Sequence, residues 1–150
     1  MEDSTRIPTI LIVEDSIPDF ESILRAFKKL GMENKIYHCS TGDEALDFLY
    51  RRNKFSDPES APRPDIILLD LNLPGMDGRD VLKEIKSNSD LKSIPIIVLT
   101  TSGSDWDIAQ CYRNGANSYM VKAVEWKVFF KAMENFKAYC LETMKLPRKT

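Results

Sequence analysis

Polar residues follow apolar stretches at several points where strands are predicted to end. The residues in question are Glu14, Asp15, Asp70, Thr100 and Lys122. Three carboxylates held close together repel one another unless they share a cation or some of their pKa values rise. Mg²⁺ prefers hard oxygen ligands, whereas a hydroxyl and an ammonium suit an anion beside the metal. Such a set is typical of a site for a phosphoryl group, with a carboxylate as the nucleophile.

The elements that must position these residues are short apolar strands alternating with helical patterns. The predicted strands are Thr9–Val13, Lys35–Cys39, Asp65–Asp70, Pro95–Leu99 and Ser118–Val121. Continuous apolar runs of this kind are typical of strands buried on both faces. Helical spacing follows each strand, so the pattern is (βα)₅ and predicts a three-layer α/β fold with a parallel sheet and helices on both faces. Because parallel strands end at one edge, the polar residues become neighbours in space.

Length and composition restrict the class of protein. The chain has 150 residues, 43% of them hydrophobic, which predicts one domain over residues 1–150 with its core at about 9–141. Residues 1–8 and 142–150 are expected to be tails. A formal net charge of −2 gives no reason to expect binding to nucleic acid or to an anionic membrane. No apolar run approaches the roughly 20 residues that span a bilayer, and the polar start is unlike a secretion signal, so a cytoplasmic location is expected.

Cysteine and histidine usage agrees with this expectation. Cys39, Cys111 and Cys140 are odd in number and no two have Cys-x-x-Cys spacing, which predicts reduced, mostly buried thiols. His38 is the only histidine, and this argues against a site with several histidine ligands and against a Ser/His/Asp triad. His38 lies in the second predicted strand, where an ordinary structural role is expected.

Four motifs, in order along the chain and each at the end of a predicted strand, resemble the CheY-like receiver domains of bacterial response regulators. They are Val13-Glu14-Asp15-Ser16, Leu69-Asp70-Leu71-Asn72-Leu73-Pro74-Gly75-Met76-Asp77-Gly78, Val98-Leu99-Thr100-Thr101 and Tyr119-Met120-Val121-Lys122. The resemblance runs from about Thr9 to Leu141 and implies a flavodoxin-like, doubly wound sheet in strand order 2-1-3-4-5. It also implies a stand-alone phosphorelay response regulator of a two-component system, which is not an enzyme beyond catalysing its own phosphorylation and dephosphorylation.

The resemblance implies a phosphate acceptor and a Mg²⁺ site. Asp70 would accept the phosphoryl group from the phosphohistidine of a histidine kinase, forming an aspartyl phosphate. The carboxylates of Asp15 and Asp70 and the backbone carbonyl of Asn72 would bind Mg²⁺. Glu14 would reach the metal directly or through a water molecule.

The resemblance also implies groups that respond to phosphorylation. Thr100 would bond a phosphoryl oxygen, and Lys122 would pair with the phosphoryl group, or with Asp70 beforehand. Tyr119 would change rotamer on activation, although ordinary packing is an alternative because aromatic residues are common in strands. The surface formed by the fourth helix, fifth strand and fifth helix would then shift between two packings.

Two residues depart from the usual receiver pattern. Ala123 stands where receivers usually have a proline after a cis peptide bond, and a cis bond before a non-proline residue costs about 2.5–4 kcal/mol. We therefore predict a trans Lys122–Ala123 peptide, with Lys122 pointing less directly at Asp70. Thr101 stands where many receivers have alanine, and a larger polar residue there should restrict the attacking water and lengthen the lifetime of the phosphoryl group.

Two peripheral segments narrow the resemblance to a subgroup. The loop Ser56–Pro64 before the third strand is longer than the family minimum, and Phe136–Pro147 extends the last helix. Both resemble small receivers partnered with cyanobacterial phytochromes and related bacteriophytochrome kinases. The implied partner is a sensor histidine kinase, here a phytochrome in a light-signalling system, docking near the first helix.

The last helix, predicted to run from Glu125 to about Lys145, carries many aromatic residues. Four of them exceed what one narrow buried face would hold: Phe129, Phe130, Phe136 and Tyr139. A surplus apolar face predicts a partner surface, and we expect a homodimer through this helix. A broad buried face is the alternative.

Other functions fit the residues less well. A Mg²⁺-dependent phosphohydrolase with an aspartyl nucleophile typically has a second aspartate two residues after the first, and here that position is Asn72, which cannot transfer a proton. No Gly-rich phosphate loop follows the first strand, which argues against a nucleotide site. A receiver-like binding module that no longer accepts phosphate stays open. Without a basic recognition helix, output is expected through protein contacts, dimer state or further phosphotransfer.

Overall fold

The computed structural model describes residues 6–147, so parts of both predicted tails, residues 1–5 and 148–150, lie outside the described residues. The strands are β1 (Ile10–Val13), β2 (Ile36–Cys39), β3 (Ile66–Leu69), β4 (Ile96–Thr100) and β5 (Ser118–Val121). The helices are α1 (Ile17–Lys29), α2 (Gly42–Tyr50), α3 (Gly78–Ser87), α4 (Asp105–Arg113) and α5 (Trp126–Phe136). All strand pairs are parallel, in the order β2-β1-β3-β4-β5, which confirms the predicted (βα)₅ fold and strand order.

Side chains of the central strands alternate between two cores, one on each face of the sheet. In β1, Leu11 and Val13 belong to the core formed with α2 and α3, whereas Ile10 and Ile12 belong to the core formed with α1 and α5. This alternation follows from the two-residue repeat of a strand. Every residue of β1, β3 and β4 is buried, as predicted from their continuous apolar runs.

Hydroxyl side chains begin the helices that follow three of the strands. The Oγ of Ser16 accepts a hydrogen bond from the backbone N–H of Asp19, at 3.3 Å, at the start of α1. Thr41 caps α2 and Ser104 caps α4 in the same way. Such caps satisfy backbone donors that have no partner inside the helix, and they fix where each strand-to-helix loop ends.

The loop before β3 is held against α2 by two arginines. Arg51 donates from Nε to the carbonyl of Ala61 at 3.0 Å, and Arg63 donates from Nη1 to the carbonyl of Leu49 at 3.0 Å. Ala61 is buried. The loop Ser56–Pro64 therefore has a defined path, and a short 3₁₀ turn, Asn53–Phe55, precedes it.

The last helix was predicted as one long helix, but in the structure it changes its helical type. The α-helix ends at Phe136, and the chain continues as a π-helical segment, Lys137–Thr143. Cys140 in this segment is buried in the same core as α5. Apolar spacing reports which residues face the core but does not distinguish an α-turn from the wider π-turn. No helix within residues 6–147 is long and apolar enough to cross a membrane.

The burial pattern of α5 corrects the predicted partner surface. Phe129 and Phe136 are 7% and 2% exposed, and they pack with Met133 in the core beneath α1 and α5. Their spacing forms one stripe of a helix, so they fit a single buried face, and their assignment to a partner surface is wrong. Phe130 is partly buried, whereas Tyr139 is 60% exposed.

Candidate functional site

Three carboxylates meet at the carboxyl edge of the sheet. Glu14 and Asp15 directly follow β1, and Asp70 directly follows the adjacent strand β3, where its backbone N–H donates to the carbonyl of Val13 at 3.0 Å. One carboxylate oxygen of each residue lies within 4.8 Å of the other two. Glu14 and Asp70 are buried and Asp15 is exposed, so the cluster opens to solvent on the side of Asp15.

Lys122 extends its ammonium into this cluster from the end of β5. Its Nζ lies 2.6 Å from Glu14 Oε1, 2.8 Å from Asp19 Oδ2 and 3.2 Å from Asp70 Oδ2. The trans Lys122–Ala123 peptide is confirmed, because residues 6–147 contain no cis peptide bond. The expectation that Lys122 would point less directly at Asp70 is wrong. The backbone N–H of Lys122 bonds to Thr100, so its side chain still leaves the sheet at the same edge.

The charges in this cluster shift one another's protonation. Burial raises the pKa of Glu14, the charge of Asp70 raises it further, and Lys122 opposes both effects. Burial alone would lower the pKa of Lys122, but its hydrogen bonds to Asp19 and Glu14 more than offset this and raise it. Lys122 therefore stays charged and compensates part of the negative charge of the carboxylates.

The donor set fits a divalent cation that prefers oxygen. Three carboxylates converge, and the loop after Asp70 folds back on them because the backbone N–H of Asn72 donates to Asp70 Oδ1 at 3.2 Å. Hard oxygen ligands of this kind suit Mg²⁺, Mn²⁺ or Ca²⁺ and exclude a thiolate or imidazole site. The cluster is therefore a candidate site for a divalent metal.

The N-terminus of α3 packs tightly against the loop that follows Asp70. The backbone N–H of Gly78 donates to the carbonyl of Leu71 at 2.9 Å. A Cβ atom placed on Gly78 would overlap the backbone oxygen of Asp70. Glycine at this position lets α3 approach the strand end closely, and that approach determines where the backbone of Asp70 lies.

The residues after β4 and within β5 complete the surroundings of the site. Thr100, the last residue of β4, is fully buried, and its Oγ1 lies 3.5 Å from Asn72 Nδ2. The next residue, Thr101, is exposed. The hydroxyl of Tyr119 donates to the carbonyl of Ser102 at 2.9 Å, which ties β5 to the loop that follows β4.

A cavity of about 430 Å³ opens beside Lys122, between α1 and the start of α5. Asp19 and Arg25 of α1 line one side of it, and Thr101 and Trp126 line others. The guanidinium of Arg25 lies over the ring of Trp126, 4.2 Å from its centroid. The cavity therefore borders the side chain of Lys122 on the side of α1 and α5.

Sequence reasoning missed two contacts of the site. Asp19 was not among the predicted site residues, but it lies in the first turn of α1 and its carboxylate reaches Lys122 at the same edge of the sheet. His38 has the predicted structural role, which the sequence did not specify. Its Nε2 donates to the carbonyl of Glu14 at 2.7 Å, and its ring stacks on Phe20 with centroids 3.7 Å apart.

Comparison with protein families gives a match over most of the chain. Residues 10–134 match the family described as the response regulator receiver domain. The response regulator Rcp1 of Synechocystis sp. is 40% identical over 148 residues, which cover 98% of this chain and 99% of that protein. A protein of Methanothrix harundinacea named "Probable methanogenesis regulatory protein FilR2" is 39% identical over 132 residues, covering 88% of this chain and 83% of that protein.

Solved structures agree with this match. The Mn²⁺-bound form of Rcp1 superposes with a TM-score of 0.87 at 40% identity, covering 94% of this chain and 99% of that one. The phosphorylated cyanobacterial phytochrome response regulator RcpA superposes with a TM-score of 0.89 at 36% identity, covering 95% of this chain and 100% of that one. Because the family match, the near-equal lengths and the carboxylate site at the sheet edge all agree, the chain belongs to the response regulator receiver domains, a family of signalling proteins.

Proposed function

We propose that the chain accepts a phosphoryl group on Asp70 from the phosphohistidine of a sensor histidine kinase. The observation that carries this proposal is the position of Asp70, buried between two further carboxylates with its Oδ2 3.2 Å from Lys122. A carboxylate oxygen attacks phosphorus as the bond from phosphorus to the imidazole nitrogen breaks. The bonding pair stays with the imidazole, and the product is an aspartyl phosphate. Hydrolysis removes the phosphoryl group again: water attacks phosphorus, the bond to Asp70 breaks, and inorganic phosphate and the free carboxylate are released.

The metal that we propose for this site is Mg²⁺. Asp15, Asp70 and the backbone carbonyl of Asn72 would hold it, with Glu14 as a direct or water-mediated ligand. The convergence of carboxylate oxygens within 4.8 Å supports a hard divalent cation, and the relative Rcp1 has been crystallised with Mn²⁺. When bound, the ion supplies positive charge that stabilises the transferring phosphoryl group.

We assign the response to phosphorylation to three residues. The hydroxyl of Thr100 bonds one phosphoryl oxygen and the ammonium of Lys122 pairs with another. Tyr119 changes rotamer once the loop after β4 moves, because its hydroxyl bonds the carbonyl of Ser102 in that loop. The surface of α4, β5 and α5 then shifts between two packings, a change that needs a differential free energy of only a few kcal/mol.

The partner that we propose is a phytochrome histidine kinase in the cytoplasm, docking near α1. The support is similarity to RcpA, which is named as a phytochrome response regulator. FilR2 is 39% identical to this chain but is named as a methanogenesis regulatory protein. Overall sequence identity therefore does not by itself identify the kinase that phosphorylates this chain. Phosphotransfer from purified kinases decides the question. Transfer from a phytochrome kinase at a rate above that from unrelated histidine kinases is the expected result, and equal or absent transfer contradicts the assignment.

We further propose that the chain forms a homodimer through the last helix. The contact surface in this proposal consists of the exposed side chains of that helix rather than of its buried aromatic residues. Val128 and Tyr139 are 52% and 60% exposed, and neither belongs to the buried stripe of α5. Light scattering over a range of concentrations, with and without phosphorylation, tests this. A monomer at high concentration under both conditions rejects the dimer.

Incubation with acetyl phosphate and Mg²⁺, followed by mass spectrometry, tests the phosphate acceptor. The wild-type chain should gain one HPO₃ unit, and Asp70→Asn should gain none. An adduct that persists in Asp70→Asn places the acceptor elsewhere. Steady release of alcohol from many phosphoesters would instead indicate the Mg²⁺-dependent phosphohydrolase, and no adduct at all would indicate a binding module.

A further inference from the structure

Asp19 joins the phosphorylation site from a helix rather than from a strand end. It lies in the first turn of α1, where its backbone N–H bonds the capping hydroxyl of Ser16. Its carboxylate crosses to the end of β5 and accepts a hydrogen bond from Lys122 Nζ at 2.8 Å. This contact is shorter than the 3.2 Å contact between Lys122 and the acceptor Asp70.

The ammonium of Lys122 has no donor left over for another anion. An ammonium group has three N–H donors, and carboxylates of Glu14, Asp19 and Asp70 lie within 3.2 Å of Nζ. The side chain of Lys122 is only 8% exposed, so water has little access to it. A phosphoryl oxygen that arrives at Asp70 therefore has to take a donor from one of these carboxylates.

Exposure determines which carboxylate releases Lys122 at the lowest free-energy cost. The side chains of Glu14 and Asp70 are 2% and 6% exposed, whereas that of Asp19 is 44% exposed. Water can solvate Asp19 once its bond to Lys122 breaks, but a buried carboxylate that loses its cation keeps an uncompensated charge. Of these three contacts, the one between Lys122 and Asp19 therefore costs the least free energy to break.

We propose that Asp19 is a positioning residue that competes with Asp70 for Lys122 and thereby slows phosphorylation of the acceptor. The inference rests on the proposed function. The carboxylate of Asp70 carries one negative charge, and a phosphoryl group in its place carries about −1.5 to −2. As this charge develops, Lys122 moves from Asp19 to the phosphoryl oxygens and Asp19 turns to water. The free energy needed to break the Lys122–Asp19 contact adds to the barrier of the transfer.

The variant that tests the proposal is Asp19→Asn, which keeps the size of the side chain and removes its charge. Phosphorylation by acetyl phosphate with Mg²⁺ should become roughly 2- to 5-fold faster, the range expected for losing one half-exposed ion pair. Asp19→Glu keeps a carboxylate within reach of Lys122 and should restore the wild-type rate. Glu21→Gln, an exposed residue of the same helix, is the matched control for charge and should leave the rate unchanged.

Two phosphodonors separate competition for Lys122 from simple repulsion of an anionic donor. Acetyl phosphate is a dianion at neutral pH, and phosphoramidate carries less net negative charge. If Asp19 acts by holding Lys122, Asp19→Asn accelerates both reactions by the same factor. Acceleration with acetyl phosphate alone, an equal effect of Glu21→Gln, or no change in Asp19→Asn overturns the proposal.

The same measurements distinguish this inference from the proposed function. If the wild-type chain gains no HPO₃ unit, or if Asp70→Asn gains one, the assignment of Asp70 fails and the role of Asp19 fails with it. If wild type is phosphorylated on Asp70 but Asp19→Asn has the wild-type rate with both donors, only the inference about Asp19 fails.

Discussion

Arg79 and Asp107 form a bidentate ion pair between the first turns of α3 and α4. Arg79 Nε and Nη2 each lie 2.9 Å from one carboxylate oxygen of Asp107. Asp107 also accepts from Ser102 Oγ at 2.7 Å, and Arg79 also donates to Asp77 at 3.0 Å. The loop after Asp70 leads into α3 and the loop after β4 leads into α4. The pair therefore holds the two loops of the candidate site in a fixed relative position.

Replacing Asp107 by asparagine should destabilise the protein by about 1–3 kcal/mol, because charged hydrogen bonds in a largely buried position are lost. Urea unfolding at pH 7 measures this. Asp105→Asn is the matched control, since Asp105 lies on the same helix and is exposed. An equal loss of stability in the two variants contradicts a specific role for the ion pair.

The same pair should make stability depend on pH in acid. Hydrogen bonds from Arg79 and Ser102 lower the pKa of Asp107 from 3.8 to about 2. A carboxylate with a lowered folded-state pKa stabilises the protein above its unfolded-state pKa, and this stabilisation is lost as the pH falls through the folded value. The wild-type chain should lose this contribution between about pH 4 and pH 2. The free-energy difference between wild type and Asp107→Asn should shrink over that interval, and a constant difference would exclude the explanation.

Gly78→Ala should destabilise the chain by about 1–3 kcal/mol or more and slow phosphorylation, because the added Cβ overlaps the backbone oxygen of Asp70. Chemical denaturation and the rate of reaction with acetyl phosphate measure the two effects. Gly103→Ala is the control, since a Cβ there meets nothing within 4 Å. Wild-type stability in Gly78→Ala would mean that α3 can move away from the loop after Asp70 at little free-energy cost.

Thr101→Ala should shorten the lifetime of the aspartyl phosphate. Thr101 is exposed and lines the cavity beside Lys122, so its side chain occupies space from which water approaches the phosphoryl group. We expect dephosphorylation to accelerate by about 2- to 10-fold, which corresponds to a small change in barrier. Decay of the phosphorylated species after removal of the donor measures the rate, and an unchanged rate refutes the role of Thr101.

Asp15→Asn should weaken the binding of Mg²⁺ by roughly ten-fold or more, because one charged oxygen donor of the cluster is lost. Isothermal titration calorimetry measures the affinity, and Asp80→Asn, an exposed residue of α3, is the control for net charge. Chelation of Mg²⁺ by EDTA should prevent phosphorylation of the wild-type chain. Wild-type affinity in Asp15→Asn would remove Asp15 from the ligand set.

The elements that position the site were predictable because buried strands have a simple signature. Ile66–Leu69 is a continuous apolar run with Asp65 before it and Asp70 after it, so its end can be recognised without knowledge of its neighbours. Parallel pairing then requires Asp70 to lie beside the residues that end the adjacent strands. The position of Asp70 followed from these two facts.

Contacts between side chains of separate elements were not predictable. Arg79 and Asp107 are 28 residues apart, and no spacing rule indicates which of many charged residues will meet. The direction of Lys122 was predicted incorrectly because Ala123 was given too much weight, whereas the backbone bond to Thr100 and a flexible four-carbon side chain decide where the ammonium lies. The number of aromatic residues in the last helix also led to a wrong prediction of its exposed apolar surface, because Phe129 and Phe136 are buried in the core.

The position of β5 in the sheet has a consequence for local stability. β5 is an edge strand that pairs with β4, and its four residues are half-buried or exposed, whereas β1 and β3 are buried and paired on both sides. Segments with fewer buried contacts open at lower free energy and exchange their amide hydrogens faster. We therefore expect the strand that carries Tyr119 to open at lower free energy than β3, the buried strand that Asp70 follows. The proposed acceptor thus follows a central, buried strand, whereas the residue proposed to change rotamer lies on an edge strand, so phosphorylation at a rigid position would be read out at a more deformable one.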